Sequence, residues 1–204
     1  KTLMTIGGSG KLGAYCLTKW LEDQYPLKVF NFDPVKLERN NINWIKEDIR
    51  TASGFKKLNS TIKNNDNIKI IIFAGYDFPR KINGENYFSP YEPEIEIVNR
   101  AWEINCLIPY LVIKSIDQNP NKKIDLTLIG SLYSDRLPKK NLYSQNEEIF
   151  KPVVYGMCKR ALEYLNMQAS QTMSKSNGRC NLIRFGGIEY GVDEEFKKRY
   201  STFS

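Results

Sequence analysis

Tyr155 and Lys159 stand four residues apart in the string YGMCK. On a helix that spacing places the lysine one turn beneath the tyrosine. An ammonium there lowers the phenol pKa, so the tyrosine can act as acid or base near neutral pH. The chain has no histidine. That excludes Ser-His-Asp and Cys-His machinery and every histidine-ligated zinc site, and no metal site is expected. Proton chemistry falls to Tyr, Lys, Asp, Glu or Cys. Ser131 ends an apolar run in IGS. A serine at the carboxyl end of a strand can hydrogen-bond a carbonyl oxygen while Tyr155 gives the proton. Ser144 is a rival, nearer in sequence but in a polar stretch with no strand to hold it.

The segment GGSGKLG joins an apolar run, Leu3 to Ile6, to a helical pattern. Gly7, Gly10 and Gly13 permit a tight turn and a close backbone approach to a diphosphate, which the free N–H groups and dipole of the following helix favour. Asp33 closes the second apolar run, where a carboxylate can accept hydrogen bonds from ribose hydroxyls and repel a 2′-phosphate. This favours NAD over NADP, although Lys11 in the turn could neutralise phosphate. A second YxxxK pair, Tyr15 and Lys19, falls in the helix already committed to phosphate and is set aside.

These residues need elements to hold them. Helical spacing covers 11–25, 52–64, 92–118 as one long helix, and 152–174. Apolar runs cover Leu27 to Phe32, Ile42 to Ile45, Ile68 to Ala74, Ile124 to Ile129 and Cys180 to Phe185. The IKIIIFA run predicts a strand covered on both faces. Six strands alternating with helices predict a single α/β domain: a doubly wound parallel sheet covered on both sides. The loops 76–91 and 132–150 then lie at the carboxyl edge, where ligands bind in this class.

The 204 residues suit one domain, with 41% hydrophobic and 26% charged residues. The net charge of +7 comes from scattered lysine pairs without interleaved aromatics, so no nucleic-acid partner is expected. No apolar run approaches a membrane span, so no membrane partner is expected either. The four cysteines, at 16, 106, 158 and 180, form no CxxC clamp. They read as small buried hydrophobes in a reducing, cytoplasmic compartment.

Taken in order, GGSGKLG, Asp33, Asp48 in KEDI, Phe73-Ala74-Gly75, Asn105 in WEINCL, Ser131 in IGSLY, YGMCK and RFGGI make the chain resemble a short-chain dehydrogenase/reductase over essentially its whole length. The resemblance implies a Rossmann-type sheet of strand order 3-2-1-4-5-6 in three α/β/α layers, and hydride transfer between a nicotinamide and a carbonyl or hydroxyl substrate. It gives Tyr155 the acid/base role and Lys159 the tuning of that acid and the nicotinamide ribose. Ser131 orients substrate, and the backbone around Asn105 holds a proton-relay water. Asp48 meets the adenine amino group, Ala74 and Gly75 wall the adenine ribose, and the Ile188 backbone reads the carboxamide. Ser9, Leu12, Ile49 and Gly186 complete the implied cofactor set.

Departures are present: Ile6-Gly7, Phe73 and Phe185-Gly186 stand where the family usually has Thr-Gly, Asn and Pro-Gly. The gap from Ser131 to Tyr155 is also longer than usual. That stretch, with Tyr133, Asp135, Arg136, Lys139, Lys140 and Tyr143, reads as a polar substrate lid. Together with IGSLY it resembles bacterial members associated with surface-sugar or nonulosonic-acid pathways. A nucleotide-sugar epimerase or dehydratase, and a non-catalytic dinucleotide sensor, are the competing readings. Family members commonly form homodimers or homotetramers through the two long helices. The fold usually continues to a substrate-covering helix and a seventh strand. This chain is therefore expected to lack a carboxy-terminal segment, or else to be a short variant with an open site.

Overall fold

A computed structural model describes residues 2–22, 28–34, 42–75, 89–137, 151–187 and 194–203. The strands are β1 (Thr2–Ile6), β2 (Lys28–Phe32), β3 (Ile42–Ile45), β4 (Ile68–Ile72), β5 (Ile124–Ser131) and β6 (Arg179–Phe185). The helices are α1 (Lys11–Glu22), α2 (Ala52–Lys63), α3 (Ile95–Trp102), α4 (Ile108–Asp117), α5 (Val153–Met173) and α6 (Glu194–Phe203). All strand pairs are parallel, and the order is β3-β2-β1-β4-β5-β6. This is the doubly wound sheet that the alternation of patterns predicts, with its switch point between β1 and β4.

The main core lies between the sheet and helices α2, α4 and α5. Met4, Ile70 and Leu126 of the central strands meet Leu58, Val112 and Leu162 there. On the opposite face Leu17 of α1 packs on Leu3 and Val29, with Ile71 beside them. The expectation that β4 is covered on both faces needs correction. Ile68, Ile70 and Ile72 are buried, but Lys69 is exposed and Ile71 only half-buried. The α1 layer is the thinner one.

The single helix read across 92–118 is also corrected. Its middle turn, Glu103–Leu107, is a π-helix between α3 and α4. The cause is Pro109, in the first turn of α4. Proline cannot donate to the carbonyl four residues back, that of Asn105, and its ring crowds that oxygen. The ladder widens, and Ile108 N–H reaches Glu103 O. Asn105 therefore sits in the one irregular turn of this helix pair.

Candidate active site

The glycine turn is held from beneath by a buried polar pair absent from the sequence reading. Asn31 of β2 is fully buried. Its Oδ1 accepts from Thr5 Oγ1 at 2.8 Å and from Gly8 N at 3.0 Å, while its Nδ2 donates to Ser9 Oγ at 3.1 Å. The signal was present as a lone Asn inside the apolar run KVFNF, where an amide without partners would cost about 1–3 kcal/mol. Gly7 has φ +73°, the left-handed region that glycine enters without strain. A Cβ on Gly13 would come within 2.6 Å of Gly8 Cα, so Gly13 lets α1 start directly on the turn. At Gly10 the nearest atom would be Gly7 O at 3.6 Å. Here no protein contact demands glycine, and the open space suits a diphosphate. Lys11 opens α1 with its side chain exposed, and Leu12 follows half-buried.

Beside this turn is a cleft of about 350 Å³, lined by Gly7, Ser9, Gly10, Asp33, Asp48, Ile49, Ala74 and Gly75 among others. Eight of the residues assigned to cofactor thus share one cavity. Asp33 accepts from Ser9 N at 3.0 Å, which locks the turn to the end of β2. Ile49 turns its side chain into the core and so offers only backbone to the cleft. Asp48 is clasped by Arg50 through Nε at 2.9 Å and Nη2 at 2.6 Å, and Arg50 reaches Glu103 at 2.5 Å. The Arg50 hydrogen bonds hold the Asp48 carboxyl below its ordinary range against the opposing effect of burial. Arg50 was not singled out from the sequence. Phe73, one of the departures, packs against Trp20 with ring centroids 6.3 Å apart.

The residues read from the sequence as a proton-transfer set lie one strand further along. Lys159 is 5% exposed, and its Nζ donates to Ile129 O at 3.1 Å. Asn105 Nδ2 donates to Ala101 O at 3.0 Å. A Cβ built on Gly75 would stand 3.9 Å from both Asn105 Oδ1 and Lys159 Nζ, so β4, the π turn and α5 meet at this point. Lys159 Nζ lies 5.6 Å from the Tyr155 ring centroid. Ser131 is buried, and its Oγ accepts from Tyr133 N at 3.2 Å. The Tyr133 ring stands edge-on to Tyr155 at 6.4 Å. Lys151 Nζ lies 4.6 Å over the Tyr155 ring. Helical spacing could not point to Lys151, because Pro152 separates it from α5. The discounted pair behaves differently: Tyr15 is exposed, and Lys19 pairs with Glu22 at 2.9 Å.

The segment after Ser131 is anchored rather than loose at its start. Ser134 Oγ donates to Ser131 O at 2.8 Å and is hydrogen-bonded to Glu163. Glu163 pairs with Arg184 at 2.6 Å, and Arg184 with Asp135 at 2.7 Å. Burial pushes the Glu163 carboxyl up, but the hydrogen bonds from Ser134 and Arg184 outweigh it and hold the group low. A carboxyl held low stabilises the fold above its unfolded pKa, about 4.3, and that stabilisation fades as pH falls through the folded value. Glu163→Gln should therefore cost about 1–3 kcal/mol at neutral pH, a difference that shrinks below about pH 4 in urea titrations. Arg136 lies exposed beyond this anchor. Ser144, Lys139, Lys140 and Tyr143 lie outside the described residues.

At the end of β6, α6 brings Tyr200 against Gly186 and Gly187, and Gly187 N donates to Tyr200 Oη at 2.7 Å. No helix was expected here from the sequence. Gly186 therefore stands beside the Tyr200 phenol and Leu132 rather than in the cleft, and Ile188 lies outside the described residues.

No protein-family model matches the sequence, and no curated protein does. Solved structures match the fold. A short-chain dehydrogenase from Leptospira borgpetersenii with bound NAD+ superposes with a TM-score of 0.74 at 22% identity, over 98% of this chain and 76% of that one. A short-chain dehydrogenase family protein from Francisella tularensis gives 0.72 at 18% identity, over 99% and 76%. This chain has the short-chain dehydrogenase fold. Thermoplasma acidophilum aldohexose dehydrogenase shares it, at a TM-score of 0.73 and 16% identity over 100% and 77%. In the short-chain dehydrogenase fold as built here, the glycine turn, Asp33, the Gly75 wall and the Tyr155–Lys159 helix all open on the carboxyl edge of one sheet. All four cysteines are free thiols, three of them buried and Cys16 half-buried. Among the described residues no cluster of acidic or cysteine side chains could hold a metal, and no helix is long and apolar enough to cross a membrane.

Proposed function

We propose that this chain is an NAD(H)-dependent oxidoreductase acting on a carbonyl or hydroxyl group. The observation that carries the reading is the approach of both Lys159 Nζ and Asn105 Oδ1 to Gly75, with Tyr155 one turn from Lys159 and the glycine turn on the same sheet edge. The residues present fit a dinucleotide: an open position at Gly10, a carboxylate at the end of β2, and a cleft long enough to reach from Asp33 to Gly75. Gly7, Ser9, Gly10, Lys11, Leu12 and Gly13 would hold the diphosphate. Asp33, Ala74 and Gly75 would hold the adenosine ribose, and Asp48 and Ile49 would border the adenine. Lys159 would hold the second ribose, with Gly186 and Ile188 at the nicotinamide end.

Once bound, the cofactor supplies hydride donation and acceptance. The chain supplies the proton: Tyr155 Oη gives it to the substrate oxygen or takes it away. Lys159, tied to Ile129 O, keeps a positive charge beneath the phenol and favours its ionised form. Ser131 Oγ orients the substrate oxygen, and the widened turn at Asn105 offers backbone to a water that returns the proton to solvent. The buried Asp33 carboxylate favours NAD over a 2′-phosphorylated dinucleotide.

A sugar-derived precursor is the substrate class suggested by the long polar stretch after β5. One protein of this fold is an aldohexose dehydrogenase, so aldoses belong in the substrate panel. The test is a fluorescence titration with NADH and NADPH, followed by turnover on aldoses, keto acids and simple ketones. Saturable NADH binding with turnover on at least one carbonyl is expected. Absence of dinucleotide binding would refute the reading, and binding without any turnover would favour a sensor.

Trp102, Tyr110, Met157, Tyr164 and Met167 of helices α3, α4 and α5 are each half exposed or more. These exposed apolar side chains on the helices suit association of two copies through them. Sedimentation velocity should then give at least twice the 23.7 kDa chain mass; a monomer at all concentrations would exclude it.

A further inference from the structure

Cys106 and Cys158 take no part in the chemistry above, yet they sit against it. Cys106 belongs to the π turn and follows Asn105. Cys158 belongs to α5 and precedes Lys159. Both are buried, at 8% and 0% exposure, in a small cluster with Ala101 and Val154 that joins the two helices. Cys106 Sγ lies 3.5 Å from Cys158 O. That contact is a hydrogen bond from the Cys106 thiol to the Cys158 carbonyl, so the two residues lie against each other across the helix pair. The Cys106 side chain and the Lys159 charge hold the Cys158 thiol below its ordinary range despite burial, and Cys106 is pushed up. A thiol of lowered pKa reacts more readily with oxidants.

We propose that Cys106 and Cys158 are an oxidisable dithiol, and that closing it to a disulfide disables the dinucleotide site. The electrons balance with one hydrogen peroxide. The Cys158 sulfur attacks a peroxide oxygen, the O–O bond breaks, and the departing oxygen leaves as water, giving a sulfenic acid. The Cys106 sulfur then gives up its proton and attacks the Cys158 sulfur. The S–S bond forms, the S–O bond breaks, and the second oxygen leaves as water with that proton. Two electrons from the two sulfurs reduce the peroxide. Local opening of the helix pair admits the oxidant.

The disulfide draws the sulfurs to about 2.0 Å, shorter than any thiol–thiol contact. The strain falls on the immediate chain neighbours Asn105 and Lys159, whose side chains converge beside Gly75. This consequence rests on the proposed dinucleotide reading; disulfide formation does not.

The experiment treats the purified full chain with hydrogen peroxide, alkylates free thiols under denaturing conditions, and maps the peptides by mass. The Cys106 and Cys158 peptides should appear joined and two hydrogens lighter than their sum. The NADH dissociation constant should rise about tenfold or more and return with dithiothreitol. Cys106→Ser, with Cys106→Ala as a second variant, should form no joined peptide and keep its NADH affinity within about twofold under peroxide. The proposal is overturned if both thiols still alkylate at a dose that oxidises Cys16, or if the joined form binds NADH as tightly as the reduced one. If the reduced protein binds no NADH at all, the dinucleotide reading fails, and the joined peptide still decides the dithiol.

Discussion

Tyr155→Phe is expected to lower turnover by between about a hundredfold and ten-thousandfold while NADH binds with unchanged affinity. The substitution removes one oxygen and keeps the ring. The ring is what the surroundings hold: Tyr133 packs edge-on, Lys151 lies over it at 4.6 Å, and Lys159 stands 5.6 Å away. Phe keeps those ring contacts and loses the hydroxyl that gives the proton. The effect should fall on kcat rather than KM, because the missing hydrogen bond strengthens in the transition state. The measurement is a pair of steady-state curves on whichever carbonyl the wild type turns over, beside an NADH titration of both proteins. Near-normal kcat in Tyr155→Phe would remove Tyr155 from the mechanism. A parallel loss of NADH affinity would make it a cofactor residue instead.

The second large effect belongs to the glycine turn. Gly13→Val would place a Cβ 2.6 Å from Gly8 Cα and 2.8 Å from Gly8 O. Those are backbone atoms of a turn held by Asn31 and Asp33, so no flexible side chain can yield. Helix α1 must move off the turn, at a cost of about 1–3 kcal/mol for overpacking. That corresponds to a fall in Tm of about 2–12 °C at this chain length. The larger consequence is functional. The N–H groups at the start of α1 lose their aim, and NADH affinity should fall by about a hundredfold or more. Gly10→Ala is the matched comparison, since the nearest atom to its Cβ would be Gly7 O at 3.6 Å. It should fold with wild-type Tm and lose affinity only through crowding the diphosphate. Equal Tm and equal NADH binding in Gly13→Val would show that the turn does not hold the cofactor.

Much of this arrangement was legible in the residues because it depends on short-range pattern. The strand–GGSGKLG–helix unit, the run of six apolar strands, and the one-turn spacing of Tyr155 and Lys159 are each contained in a few consecutive residues. Periodicity and turn chemistry act over that distance. The alternation gave the parallel doubly wound class, whereas the sheet order came with the family resemblance, since right-handed crossovers alone leave more than one order open. Pro109 carried a further local signal, the π turn at Asn105, which the smooth apolar pattern across 92–118 concealed.

What the sequence by itself determined was the kind of fold and the residue types at its edge: a parallel α/β sheet, a glycine turn opening α1, and a tyrosine and a lysine one helical turn apart. What only the tertiary structure decided was the company these residues keep. Asn31 beneath the turn, Arg50 clasping Asp48, Lys151 over Tyr155 and the Ser134–Glu163–Arg184 bridge are contacts between residues far apart in the chain or separated by a helix break. The same holds for Tyr200 against Gly186 and for Cys106 against Cys158. No periodicity encodes such pairs. They exist because packing brings separate elements within hydrogen-bonding distance and leaves buried polar groups no solvent to bond with instead.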